Sequence, residues 1–344
     1  MSGQNIAVIG AGSWGTALAK LLSDKGSRVT LWGHRPEHIA AIRQARENTT
    51  YLPGFKLGDN LQFTSDLAEA VQGHEVVVMV VPSHVYRNVF SSLVPFLEKD
   101  ASIISATKGI ENKTLMTMSA VMADVLASFK NRETVKKRLG VLAGPSFAKE
   151  VAAGVPTAVA VAAEDKDVAD FYQDIFFTEK FRVYTTTDVI GLELGGALKN
   201  IEAIGAGICD GLGYGTNTRA ALITRGLAEI TRLGIKMGAN PHTFSGLAGL
   251  GDLVLTCTGS LSRNRTVGLK LGQGKKLKEI LSEMEMVAEG VKTTRSAWSL
   301  ARRHGVEMPI LEQVYQVIYE DKPCEEAVLA LLKRDQKEEL EYLM

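Results

Sequence analysis

The 344-residue chain has little cysteine, no excess charge of either sign and no long apolar run, and each shortage removes a class of function. Its three cysteines, Cys209, Cys257 and Cys324, are odd in number, widely spaced and never at CxxC distance. This excludes a disulfide framework and argues for a reducing, cytoplasmic setting without a structural metal. Lys+Arg and Asp+Glu balance at 39 each, so no global field recruits nucleic acid or an anionic membrane. Any anion must be caught locally. The longest apolar stretches, such as "TAVAVAA" at 157–163, fall far short of the roughly 20 residues a membrane helix needs. The opening "MSGQN" lacks a charged segment followed by an apolar core, so export is not expected. Internal repeats and low-complexity segments are absent as well.

What is present is the composition of an ordinary soluble globular protein, 45% hydrophobic and 23% charged, in a chain long enough for two domains. Short Val- and Ile-rich runs alternate with amphipathic segments through the first half: Ile6 to Ile9, Arg28 to Trp32, Glu75 to Val81, Ala101 to Ala106 and Leu139 to Ala143. Such runs, closed by Gly, Pro or polar residues, predict strands buried on both faces of a mostly parallel, doubly wound sheet. Ala158 to Ala163 and Phe181 to Thr186 are expected to extend it. Beyond Asp188 the pattern turns helical. This predicts an α/β dinucleotide-binding domain over 1–187 and an all-α substrate and catalytic domain over 188–344, with Asp188 an N-cap at the boundary.

The stretch "IAVIGAGSWGTALAKLL" (6–22) places Gly10, Gly12 and Gly15 between a strand and a helix, with a second strand ending about 20 residues on. In a Rossmann-type turn the first glycine permits the bend, the second lets backbone approach a pyrophosphate, and the third lets the helix lie on the sheet. The helix start then offers free amides and a positive dipole end to phosphates. Where an NAD-selective site usually carries Asp or Glu, this chain has Gly33, His34 and Arg35. A guanidinium there suits a 2′-phosphate, so NADPH is the preferred cofactor, with NADH possible; a solvated Arg35 is the alternative.

Three further clusters suggest chemistry. "IISATKGIE" ends a strand in Lys108, and "VLAGPSFAKEV" ends the next in Gly144, Pro145 and Ser146, both at the carboxyl edge where open α/β sheets bind ligands. In "GLELGGALKNIEAIGAG", Lys199 and Asn200 lie among small residues that allow close packing. A lysine confined among apolar groups can exchange protons near neutrality, as carbonyl reduction requires. The alternative is a surface Lys199–Glu202 pair at i, i+3. Asp252, in the glycine-rich "GLAGLGDLVLTC", could orient an ammonium, and "SRN" at Ser262, Arg263 and Asn264 suits a phosphate monoester.

Together, "GAGSWGTALA", "ATKGIE", "AGPSFA", "GALKNI", "GAGICDGLGYGTNTRAALITRGLAE", "GLGDLVLTC", "SRNR" and "VAEGVKT" run in order from residue 10 to about 294. The chain resembles the bacterial cytosolic NAD(P)-dependent glycerol-3-phosphate dehydrogenases. The resemblance implies interconversion of dihydroxyacetone phosphate and sn-glycerol 3-phosphate, supplying the latter for phospholipid synthesis in the cytoplasm, without nucleic acid or membrane insertion. A homodimer is conceivable. It implies Lys199 as proton donor to the ketone oxygen, Lys108 on the substrate oxygens and Asp252 orienting the ammonium. Gly144, Ser146, Asn200, Ser262, Arg263 and Asn264 would contact the substrate. Gly10, Gly12, Ser13, Trp14, Gly15, His34, Arg35, Lys108, Ala148, Arg263, Val287 and Glu289 would line the nucleotide. Glu202 departs from the apolar residue more usual in that family, and Gly259 from larger polar ones. A β-hydroxyacid dehydrogenase would need a carboxylate clamp instead of "SRNR", and an NADPH-sensing module would have no need of Lys199 and Asp252 together.

Overall fold

The computed structural model describes residues 3–284, 288–336 and 338–339. It divides into two compact units, one of Met1–Lys108 with Met118–Val189, the other of Gly109–Thr117 with Ile190–Met344.

The first unit is built on an eight-stranded sheet: β1 (Asn5–Ile9), β2 (Arg28–Trp32), β3 (Leu61–Thr64), β4 (Val76–Met79), β5 (Ser102–Ser105), β6 (Leu139–Ala143), β7 (Thr157–Ala162) and β8 (Phe181–Thr186). Their order is β3-β2-β1-β4-β5-β6-β7-β8, with every pairing parallel except β6 against β7. All residues of β4 and β5 are buried, as strands covered on both faces must be. Helices from the crossovers, among them α1 (Ser13–Asp24) and α2 (Pro36–Ala45), supply that cover: Leu18 and Leu22 of α1 join Ile6 and Val8 of β1 in one core cluster. The strand order reverses at β1, which pairs Ile6 with both Val29 of β2 and Val76 of β4. Ligands of doubly wound sheets bind outside the carboxyl ends at such a switch point, and the three-glycine turn leaves β1 there. The mostly parallel sheet follows the sequence pattern, but β3 does not: four residues with Gln62 exposed carry no apolar run to reveal them. β3 is held instead by its register on β2, Leu61 opposite Val29 through Thr64 opposite Trp32.

The second unit is helical, and its axis is α4 (Val189–Gly211), with Gly191 to Cys209 buried without a break. A helix buried all round lies in a core rather than on a surface, although this one carries Glu193, Lys199, Asn200 and Glu202 among its buried residues. Around it lie α5 (Thr216–Lys236), α6 (Asp252–Thr258), α7 (Arg263–Gly272), α8 (Glu289–His304) and α9 (Pro309–Tyr319); the label α3 is given to Ala148–Ala152 of the first unit. The small residues of α4 are the means of packing. A Cβ on Gly207 or Gly211 would collide with the carbonyl oxygen of Arg265 or Leu269, and one on Gly268 or Gly272 with that of Ile204 or Ile208. α4 and α7 therefore meet backbone to backbone. The excursion Gly109–Thr117 is fastened by α8, where the Ser296 hydroxyl donates to the Ile110 carbonyl at 3.2 Å. No helix among the described residues is long and apolar enough to cross a membrane.

Candidate active site

In the first unit, Gly10 closes β1 with φ +132°, a region that disfavours side chains, and a Cβ there would stand 2.7 Å from the Val80 carbonyl oxygen. A Cβ on Gly15 would strike the Gly10 carbonyl oxygen, so α1 rests directly on the turn. Gly12, the N-cap of α1, differs: nothing lies within 4 Å of a Cβ built on it, and no side chain caps the helix. Two glycines thus answer to packing, while the middle one borders open space over an uncapped helix start. That is the shape and polarity a pyrophosphate requires. Ser13 and Trp14 follow in the first turn. The Trp14 ring packs in a small cluster with Ala17, Leu52 and Ala148, the last being the first residue of α3.

Arg35 is the N-cap of α2, directly beyond β2 and next to the exposed His34. Its guanidinium donates to the Tyr51 hydroxyl at 2.6 Å and lies 5.8 Å from that ring's centroid. The arginine is half-buried and braced rather than loosely solvated. Asn48, fully buried, donates to the Ala11 carbonyl at 3.0 Å and the Thr16 hydroxyl at 2.8 Å, and accepts from Tyr51 N at 3.1 Å. The loop carrying Tyr51 is thereby tied to the glycine turn. Burial lowers the pKa of His38, whose ring meets Tyr51 edge-on. Trp14 Nε1 and Arg35 Nε are buried donors with no hydrogen-bond partner, flanking the turn. Together these features fit a nicotinamide dinucleotide.

At the carboxyl ends of β5 and β6, Lys108 Nζ donates to the Gly144 carbonyl at 3.0 Å, and the Ser146 hydroxyl donates to the same oxygen at 3.1 Å. Gly144 has φ +138°, and a Cβ on it would come within 2.9 Å of Val159 Cα. The three expected residues form one cluster.

In the second unit, Lys199 is 6% exposed and Asp252 is 0% exposed, and the Lys199 ammonium hydrogen-bonds the Asp252 carboxylate. It also donates to the Thr256 hydroxyl at 2.7 Å, which in turn donates to the Asp252 carbonyl at 2.6 Å. The backbone explains the encounter. Gly195, one turn before Lys199, has no room for a Cβ, which would stand 2.6 Å from the Ala248 carbonyl oxygen. Segment 247–251, a single π-type turn, therefore lies against α4 and delivers Asp252 at the head of α6. The surface Lys199–Glu202 alternative fails: Glu202 is 0% exposed and both its carboxylate oxygens lack a hydrogen-bond partner. Thr256, four residues after Asp252 on the same face of α6, is the participant that sequence reasoning passed over.

Asn200 and Asn264 also meet. Asn264 Nδ2 donates to Asn200 Oδ1 at 2.9 Å, and Asn264 Oδ1 accepts from Gly290 N at 2.9 Å. Ser262 caps α7, its hydroxyl oxygen accepting from Arg265 N at 3.2 Å. Burial lowers the pKa of Arg263, opposed by the carboxylate of Glu289, the first residue of α8. Val287 lies outside the described residues.

The chain is similar to known proteins in sequence and in fold. Residues 5–169 match the family described as NAD-dependent glycerol-3-phosphate dehydrogenase N-terminus, and residues 188–329 the one described as its C-terminus. The chain is 58% identical over 336 residues to a glycerol-3-phosphate dehydrogenase (NAD(P)+) of Geobacter sp. strain M21, covering 98% of this chain and 99% of that one. It is 59% identical over 337 residues to the same-named protein of Geobacter metallireducens, with the same coverage. Its fold is similar to a crystal structure of glycerol-3-phosphate dehydrogenase from Coxiella burnetii, with TM-score 0.91, 39% identity and coverage of 97% and 100% of the two chains.

Proposed function

Since the chain belongs to the NAD-dependent glycerol-3-phosphate dehydrogenase family, we propose that it interconverts dihydroxyacetone phosphate and sn-glycerol 3-phosphate, supplying the latter for phospholipid synthesis in the cytoplasm. The observation that carries this reading is the buried Lys199 ammonium, oriented by Asp252 and Thr256.

A bound nicotinamide would supply the hydride and its electron pair. The chain's part is to manage the charge that grows on the ketone oxygen. Lys199 donates the proton to that oxygen in reduction and recovers it from the alcohol in the reverse direction. An ammonium fixed in place stabilises the developing oxyanion more than the ketone, and it needs no reorganisation to do so. Asp252 and Thr256 hold the amine in one rotamer. Lys108, Gly144 and Ser146 hold substrate oxygens, while Ser262, Arg263 and Asn264 take the phosphate, a handle remote from the reacting carbon. Asn200 adds an amide, its Oδ1 oriented by Asn264.

The dinucleotide is assigned to the first unit: Gly10, Gly12 and Gly15 with Ser13, Trp14 and Ala148 at the turn, and His34 and Arg35 at the adenosine ribose. Lys108, Arg263, Val287 and Glu289 complete its lining. Arg35, braced by Tyr51 with no carboxylate beside it at 33 or 34, supports a preference for NADPH over NADH. Purified protein mixed with dihydroxyacetone phosphate and NADPH is expected to oxidise the nicotinamide, as followed by its absorbance. Oxidation that does not depend on the phosphorylated ketone would refute the reading.

A further inference from the structure

We infer that Asp210 is a positioning residue for the substrate's phosphate, acting through Arg265 on the first turn of α7; the inference rests on the assignment of Ser262, Arg263 and Asn264 to that phosphate. Asp210 occupies the last turn of α4, the end of a helix where the backbone dipole disfavours a carboxylate. Its side chain is only 7% exposed, so it also gives up most of its hydration. A residue placed against both tendencies needs compensation, and two guanidiniums provide it. Arg219 of α5 bonds Asp210 Oδ1 through Nε at 3.0 Å and through a terminal nitrogen. Arg265 bonds Oδ2 through Nε at 2.8 Å and a terminal nitrogen at 2.6 Å.

The second arginine of "SRNR" is therefore engaged by the protein itself, and the two arginines of the motif part company in role. The glycine contacts between α4 and α7 fix how near the helices lie and which face of α7 meets α4. Two side-chain bonds add to this at the first turn of α7. Asn264 reaches Asn200, and its neighbour Arg265 reaches Asp210, ten positions further along α4. Those anchors stand about 15 Å apart along the helix. Adjacent residues pulled toward such separated points hold one orientation of the first turn, and Ser262 and Arg263 are carried with it.

The test compares dihydroxyacetone phosphate with unphosphorylated dihydroxyacetone in wild type, Asp210→Asn and Asp210→Glu. Asp210→Asn is expected to raise KM for the phosphorylated ketone by about 10- to 100-fold with little change in kcat. kcat/KM for dihydroxyacetone is expected to stay as in wild type. Asp210→Glu, which keeps the charge, is expected to recover part of the loss. Equal losses on both ketones would show general damage to the fold, and an unchanged KM would show no coupling; either overturns the inference. Should Asp210→Asn fail to fold, Arg265→Lys keeps the charge, lacks the two-pronged geometry, and is read by the same ratio. A wild-type chain that does not favour the phosphorylated ketone would overturn the functional reading itself, and this inference with it.

Discussion

Lys199 of α4 and Asp252 of α6, 53 positions apart in the chain, form an ammonium–carboxylate pair shielded from solvent on both sides. Its geometry depends on the glycine that admits the intervening segment as much as on the pair itself.

Lys199→Ala is expected to lower kcat by about 10²- to 10⁴-fold, the usual contribution of a positioned proton donor, while NADPH binding followed by fluorescence stays unchanged. Removing the amine also leaves the Asp252 carboxylate buried without its ammonium, at a cost of about 3–5 kcal/mol in stability. Thermal melts of Lys199→Ala with and without Asp252→Asn separate the two effects. The added Asn should restore melting temperature and not turnover. Equal losses of cofactor affinity and turnover would contradict the proton-transfer role.

Gly195→Ala tests the support of the pair. The new methyl would stand 2.6 Å from the Ala248 carbonyl oxygen, forcing 247–251 away from α4. A destabilisation of about 1–3 kcal/mol is expected in chemical denaturation, together with a lower kcat. A variant with wild-type kcat would show that Asp252 keeps its place without this contact.

Glu202 and Glu229 give the helical unit a dependence on pH. Burial, reinforced by the Glu229 carboxylate, raises the Glu202 pKa well above its ordinary value. Burial raises Glu229 from 4.5 to about 7, against the pull of hydrogen bonds from Ile310 N at 2.8 Å and Leu311 N at 3.3 Å at the start of α9. Both groups bind their proton more tightly folded than unfolded. Their contribution to stability is therefore full below the unfolded value of 4.5; that of Glu229 is lost as pH rises through about 7, and that of Glu202 as pH rises through its own raised value. Glu202→Met, close in size and apolar, should flatten this decline and stabilise the protein by about 1–3 kcal/mol at alkaline pH. Melting temperatures across the range decide it; an unchanged slope would refute the titration.

Arg35→Ala is expected to shift the ratio of kcat/KM for NADPH over NADH toward NADH by about tenfold, the equivalent of about 1.4 kcal/mol of charge-assisted bonding. Tyr51→Phe should produce a smaller shift in the same direction. An unaltered ratio in both would remove Arg35 from cofactor selection.

The sheet and the glycine turn were legible in the sequence because each strand's burial and each glycine's task is expressed within a few residues. β3 was not, since Leu61 to Thr64 are held by pairing with a strand already in place. Lys199 stood out as one of few charges in a run of small residues, and its burial follows from the same run. Thr256 carried a signal that could have been read, the i, i+4 spacing from Asp252 on a short helix. Asn48 and Tyr51 carried none: Asn48 meets Ala11 across 37 positions, and nothing local distinguishes it from any loop asparagine.

The excursion at Gly109–Thr117 makes this protein hard to divide. The polypeptide passes from one unit to the other after Lys108, returns at Met118 and leaves again after Val189. A truncation ending at residue 189 would carry nine residues whose companions, Ser296 among them, had been discarded. The complementary fragment would lack the segment that α8 fastens. A helical half expressed by itself would need those nine residues grafted back before it could be expected to stay folded, whereas a single proteolytic nick at the 189–190 junction would leave both units with all their parts.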